Sequence, residues 1–244
     1  MRKLLTFSIR TAKEIIRDPL NIAFGLGFPL VLLFLLSAIQ ANIPVALFEI
    51  EHLTPGICVF GLSFMALFSA TLLARDRTSS LLQRLYTTPL TALDFILGYT
   101  LPILPIAVLQ TAVCCLGAMI FGLELSGNML LTIVAVIPTA LLYISIGLLC
   151  GSVFNDKQVG GICGALLTNL SAWLSGTWFD LELVGGVFKD AAYALPFVHA
   201  VEYERAVLSG NFSEVWPHLI WVLAYLAVIA VLAVLMFLRQ MKKQ

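Results

Sequence analysis

The chemistry open to this chain is set by its ionisable side chains, and those fall outside its long apolar runs. Of 244 residues, 14 are Lys or Arg, 14 are Asp or Glu and 3 are His. None lies within Leu20–Ile39, Pro55–Ala74, Gly98–Phe121, Met129–Cys150, Val159–Phe179 or Leu219–Leu238. An ionisable group at mid-membrane costs about 2.5–3.5 kcal/mol on insertion scales and marks an ion or proton path. Its absence from these runs argues against a proton- or sodium-driven carrier. The polar groups left inside are chiefly the amides Gln110 and Asn169, suited to interhelical hydrogen bonds or to lining a pathway. With Phe64 and Phe68 they form the candidate substrate path, one fitted to an amphipathic or lipid-like cargo. The chain has no phosphate-binding glycine loop followed by Lys and Ser or Thr, so ATP hydrolysis needs another subunit.

Two other chemistries are weaker fits. The cysteines Cys58, Cys114, Cys115, Cys150 and Cys163 sit inside or at the ends of the runs. Adjacent helix positions face different ways, so Cys114 and Cys115 make no metal clip, and all five read as packing residues. No metal site is expected. Ser175, in Leu174-Ser175-Gly176, and His199 are the nearest approach to the serine–histidine pair of an intramembrane protease. A membrane scaffold or sensor without transport is the remaining alternative.

The elements that must position these residues are membrane helices. Each run is close to the roughly 20 residues that cross about 30 Å of hydrocarbon. The chain is 60% hydrophobic and 11% charged, with mean hydropathy +1.00, against about 25% charged in a soluble domain. The expected fold is all-α and integral to the membrane, one transmembrane domain over 1–244 with spans at 20–39, 55–74, 98–121, 129–150, 159–179 and 219–238. No cleaved signal peptide is expected. With six spans, 12 of the 14 Lys and Arg fall on one side, and only Lys189 and Arg205 on the other. The positive-inside rule then puts both termini in the cytoplasm.

Residues 3–17 predict an amphipathic helix lying in the inner headgroup layer. Leu5, Ile9, Ala12 and Ile16 form its apolar stripe, and Lys3, Arg10, Lys13 and Arg17 its basic one. Asp18-Pro19 ends it. The inner loop 76–89 predicts a short helix with Leu81, Leu82 and Leu85 on one side, stopped by Pro89. The outer segment 180–208 predicts two half-helices, about Leu183–Leu195 and Phe197–Leu208, split by Pro196 and too short to span. Gly160, Gly161 and Gly164 predict a close helix approach in the fifth run.

Several ordered motifs then carry a resemblance. They are Arg17-Asp18-Pro19, Gly25-Leu-Gly-Phe-Pro29, Thr54-Pro55-Gly56, Arg75-Asp76-Arg77, Leu82-Gln-Arg84-Leu85-Tyr-Thr-Thr-Pro89, Leu174-Ser175-Gly176 and Leu195-Pro196-Phe197. The chain resembles the permease subunit of type-2 ABC exporters, in particular the drug and antibiotic-export branch, over essentially its whole length. The resemblance implies that 3–17 is the connecting helix at the membrane surface and 180–208 the outer re-entrant helices. It implies that Asp76–Pro89 is the coupling helix seated in a cytoplasmic ATPase, and Asn155–Gln158 a second contact. Asp76, Arg77, Leu81, Leu82, Arg84, Leu85, Pro89, Asn155 and Asp156 would then carry the coupling. It also implies two permeases, identical or related, working with two copies of the ATPase in the cell membrane among its lipids. ATP and Mg would be bound by the ATPase, with no cofactor on this chain and no nucleic acid involved.

Overall fold

The computed structural model describes residues 2–45, 47–79 and 92–241. All regular structure among them is helical. Helix α1 covers Arg2–Arg17, and α2 covers Pro19–Gln40. The Asp18 carboxylate caps α2 by accepting from the Leu20 N–H at 3.0 Å, and Pro19 takes a first-turn position where no N–H is needed. Helices α3 (Ile50–Thr78), α4 (Ala92–Met119) and α5 (Gly127–Val153) follow. Helix α6 runs over 156–174. Three short helices come next on one end of the bundle: α7 (Leu181–Val184), α8 (Gly186–Tyr193) and α9 (Pro196–Ser209). The last helix, α10, is Phe212–Met241.

Five of these helices, α2, α3, α4, α5 and α10, are long and apolar enough to cross a membrane. The sequence predicts six. The remaining run, Val159–Phe179, is helical within 156–174, but it starts on Asp156 and Lys157, carries Asn169, and is wound as a π-helix over Gly160–Leu167. Those polar residues and the loss of helix after Leu174 set it below the other five. A second π-helical stretch, Ala23–Gly27, lies in α2. Pro55, Pro102, Pro105, Pro138 and Pro217 all sit within continuous helices.

Helix α3 is the axis of the bundle and is buried along nearly all of its apolar length, whereas α10 leaves most of its surface free for lipid. The tightest crossing is α3 on α5. A Cβ on Gly147 would sit 2.0 Å from Ser69 Oγ and 2.1 Å from the Ala66 carbonyl oxygen, and one on Gly151 would sit 2.6 Å from the Ala70 carbonyl. This Gly-x-x-x-Gly pair lets the two backbones touch, and Ser69 Oγ donates across it to the Ile144 carbonyl at 3.2 Å. The glycines singled out in the sequence behave differently. Nothing lies within 4 Å of a Cβ on Gly160 or Gly161, and Gly164 meets only Leu67 at 3.5 Å. The predicted close approach in the fifth run is thus displaced to the fourth.

The two predicted half-helices also break elsewhere than expected. Gly185 and Gly186, at φ of +63° and +56°, interrupt the first predicted half-helix. Such backbone suits glycine alone. Pro196 begins α9, and Gly210, at φ +75°, ends it in the left-handed conformation.

Candidate functional site

The end of the bundle that carries Asp76 gathers the side chains that sequence placed in separate elements. Asp76, in the last turn of α3, is buried. Its carboxylate accepts from Arg10 Nη1 at 2.7 Å and Nη2 at 3.0 Å, and from the Tyr99 hydroxyl at 2.8 Å. Arg10 also pairs with Glu14, one turn on, at 2.8 Å. Three elements, α1, α3 and α4, therefore meet on one carboxylate. Phe7 of α1 deepens the contact. Its ring packs edge-on against Phe95 and Tyr99, with centroids 5.7 and 5.1 Å apart, and Gly98 leaves the room for it. Helix α1 is fixed to the bundle.

Arg77 turns into the chain. Its Nη1 donates to the Gly151 carbonyl at 2.6 Å and to the Phe154 carbonyl at 3.3 Å. The last carbonyls of a helix have no partners within it and carry its negative pole, so a cation there is favoured. Both Asp76 and Arg77 are thus engaged within the chain. Arg75 reaches Asp156 at 3.4 Å, and Asn155 caps 156–159 in a reciprocal box with Gln158. The end of α3 and the capped start of α6 at 155–158, the two predicted ATPase contacts, are thus held side by side. Leu81, Leu82, Arg84, Leu85 and Pro89 lie outside the described residues.

The four candidate path residues sit in different surroundings. Gln110 is fully buried against Gly61, its Nε2 is 3.5 Å from Cys114 Sγ, and its Oε1 has no partner. Asn169 faces outward from α6 and donates to the Ala165 carbonyl at 2.8 Å. Phe64 is packed among Phe24, Phe28 and Phe60, and Phe68 lies against Gly25. The phenyl groups are core, and Asn169 is the one of the four on an open face.

At the opposite end, Arg205 of α9 clamps the surface. It donates to the His52 carbonyl at 3.2 Å, to Glu202 Oε1 at 2.7 Å and to the Gly176 carbonyl at 3.0 Å. Those bonds join α9 to the start of α3 and to the segment after α6. Two cavities of about 410 and 400 Å³ flank it, sharing His52, Glu202 and Arg205 in their walls. Replacing Arg205 with alanine is expected to remove three bonds to a charged donor, each worth about 1.5–3 kcal/mol. Limited proteolysis should then cut the 177–195 region several times faster, and an unchanged digestion pattern would refute the clamp.

His199 bears on the protease alternative. Its Nε2 meets the Tyr193 carbonyl at 3.0 Å and its Nδ1 meets His218 Nδ1 at 2.9 Å, while its ring stacks on Trp221 at 4.9 Å. Burial pushes its pKa below the ordinary histidine value, with the Tyr193 carbonyl opposing. Ser175 Oγ is bonded instead to Thr177 Oγ1 at 2.7 Å and to the Ala172 carbonyl at 3.3 Å. The serine and the histidine do not form a dyad. Among the described residues, no three His, Cys, Asp or Glu side chains are placed to hold a metal ion. All five cysteines are free thiols, and Cys58, Cys114, Cys115 and Cys163 are buried.

Sequence reasoning missed the Arg10–Asp76–Tyr99 network and the Arg205 clamp. It also missed Glu204 of α9, which is fully buried, with both carboxylate oxygens unpartnered.

In comparison with known proteins, the family model described as ABC-2 type transporter matches residues 2–209. No curated protein matches the chain as a relative.

Proposed function

The chain belongs to the ABC-2 type transporter family, and from that premise we propose that it is the permease subunit of an exporter driven by a separate ATPase. It is a multi-pass membrane protein and a transmembrane component, not the catalytic ATPase of such a system. In the proposed assembly, two permeases pair with two cytoplasmic ATPases that bind ATP and Mg. The 156–174 helix crosses as a sixth span, which puts both termini in the cytoplasm. The cargo is hydrophobic or amphipathic: a drug, an antibiotic peptide or a lipid-like molecule.

One observation carries the coupling reading. The end of α3, which leads into 80–91, is tied to α1 and α4 through Asp76, to α5 through Arg77, and to the capped start of α6 through the Arg75–Asp156 pair. A push on this inner corner reaches four membrane helices at once. In this reading the ATPase bears on the 76–89 segment, with Leu81, Leu82, Arg84, Leu85 and Pro89 forming its contact, and on Asn155 and Asp156. Asp76 and Arg77 pass the motion inward.

The test is purification of the chain from its native membrane in mild detergent, with mass spectrometry and an ATPase assay on the eluate. A stoichiometric nucleotide-binding subunit with vanadate-sensitive turnover is the expected result. An eluate without any ATPase would overturn the reading and favour a scaffold.

A further inference from the structure

Glu204 is the most buried charge-bearing side chain in the described bundle that nothing in the coupling scheme uses. It lies in the middle of α9, fully enclosed, and neither carboxylate oxygen has a hydrogen-bond donor. A bare carboxylate in such a place is so poorly solvated that the group takes up a proton instead. Its surroundings supply no compensating charge. The titratable groups beside it are Cys115 of α4, a free thiol, and Tyr203 of α9 itself. Helix α9 also packs on α3, α5, α6, α8 and α10, and among the described residues none of them gives the Glu204 carboxyl a hydrogen bond. Two other titratable groups of α9 are engaged elsewhere. Glu202 holds Arg205, and His199 holds His218.

We propose that Glu204 is a proton-binding site of the outer helices: it holds a proton while α9 is packed down and releases it when α9 lifts. The lifting step rests on the reading of the chain as an exporter permease, whose outer end has to open for cargo to leave. Its geometry is already marked, because Arg205, one residue on, ties α9 to the start of α3 and to the Gly176 carbonyl between two cavities. Undoing that clamp frees the helix that shields the carboxyl. No covalent bond changes. The carboxylic acid loses its proton to water as its oxygens become hydrated, and regains it on closure.

The direction of the pH effect follows from burial. Burial pushes the Glu204 carboxyl well above its ordinary value, and the neighbouring Cys115 acts in the same sense. A pKa raised in the packed state means the packed state gains stability at low pH. That gain is complete below the ordinary carboxylate value and is lost as pH rises toward the raised one. One proton links the two states, so between those limits the packed-to-open ratio falls by up to about tenfold per pH unit. Alkaline medium on the outer side therefore favours opening.

The test uses the full chain in lipid nanodiscs and two variants, Glu204→Gln and Glu204→Leu. The leucine variant keeps the test alive if the buried amide prevents folding. Infrared difference spectra of wild type minus variant should show the C=O stretch of a protonated carboxylic acid persisting at pH 7. The melting temperature of wild type should fall between pH 5 and pH 8, with a slope that either variant flattens. Absence of the carboxylic band at pH 7, or an unchanged slope in the variants, overturns the proposal. Neither readout needs the ATPase. A permease reading that fails for lack of an ATPase would leave both results standing, so the two failures are distinguishable.

Discussion

Replacing Gly147 with alanine is expected to lower the melting temperature of the purified chain by about 6–12 °C, the shift that a loss of about 3 kcal/mol gives at this size. The new methyl carbon would fall 2.1 Å from the Ala66 carbonyl oxygen and 2.0 Å from Ser69 Oγ. A serine can rotate away; a backbone carbonyl inside a helix cannot. Helices α3 and α5 would have to separate by more than an ångström at the centre of the bundle. The bond from Ser69 to the Ile144 carbonyl, 3.2 Å long, would be lost with the contact. Membrane interiors give little hydrophobic drive for helix association, so this dispersion and hydrogen bonding is most of what holds the crossing. Gly161→Ala is the matched control. Its methyl meets nothing within 4 Å, and alanine is the better helix former by about 1 kcal/mol. Equal melting temperatures for the two variants would refute the packing argument.

The same pair of glycines shows what a sequence of this kind conceals. Membrane character, the all-helical class and the placement of charges outside the apolar runs follow from composition and run length, and they appear in α2, α3, α4, α5 and α10. Which glycines meet a neighbour does not follow, because a helix shows glycine on every face it has. Gly160 and Gly161, adjacent and conspicuous, are open, while Gly147 and Gly151 are closed. The spacing of four between Gly147 and Gly151 was the available signal, since it puts both on one face. Asp76 carried a signal of another kind. An acid set between Arg75 and Arg77 on the basic side needs a cation, and Arg10 stood on the basic stripe of α1. Sequence could not show that the two stripes meet, because 66 positions separate them. Glu204 gave no signal. It sits in a polar run, Glu202-Tyr203-Glu204-Arg205, that reads as a solvated surface; only the packing of α9 turns Glu204 inward.

Asp76→Asn should cost at least tenfold in transport while leaving the ATPase bound and turning over. The substitution keeps the shape of the side chain and removes its charge. Asparagine can accept from only one of its two former acceptor sites, so of the bonds from Arg10 at 2.7 and 3.0 Å and from Tyr99 at 2.8 Å, one or two are lost. Breaking a fully buried pair costs about 3–5 kcal/mol, and an exposed one about 0.2–1 kcal/mol. This pair is intermediate, with Asp76 5% and Arg10 38% exposed at the side chain, and Glu14 remains to hold Arg10. The expected loss is about 2 kcal/mol, enough to free α1 from the end of α3 without unfolding the bundle. A push delivered to the inner corner would then move α3 and leave α1 and α4 behind. Tyr99→Phe removes one bond and should cost about 1 kcal/mol. The decisive comparison is a double-mutant cycle on Arg10→Gln and Asp76→Asn. Transport in the double variant should match that of either single one, because the second change removes a partner already lost. Losses that multiply instead would show that the two residues act apart, and the inner corner would then have no role as a relay.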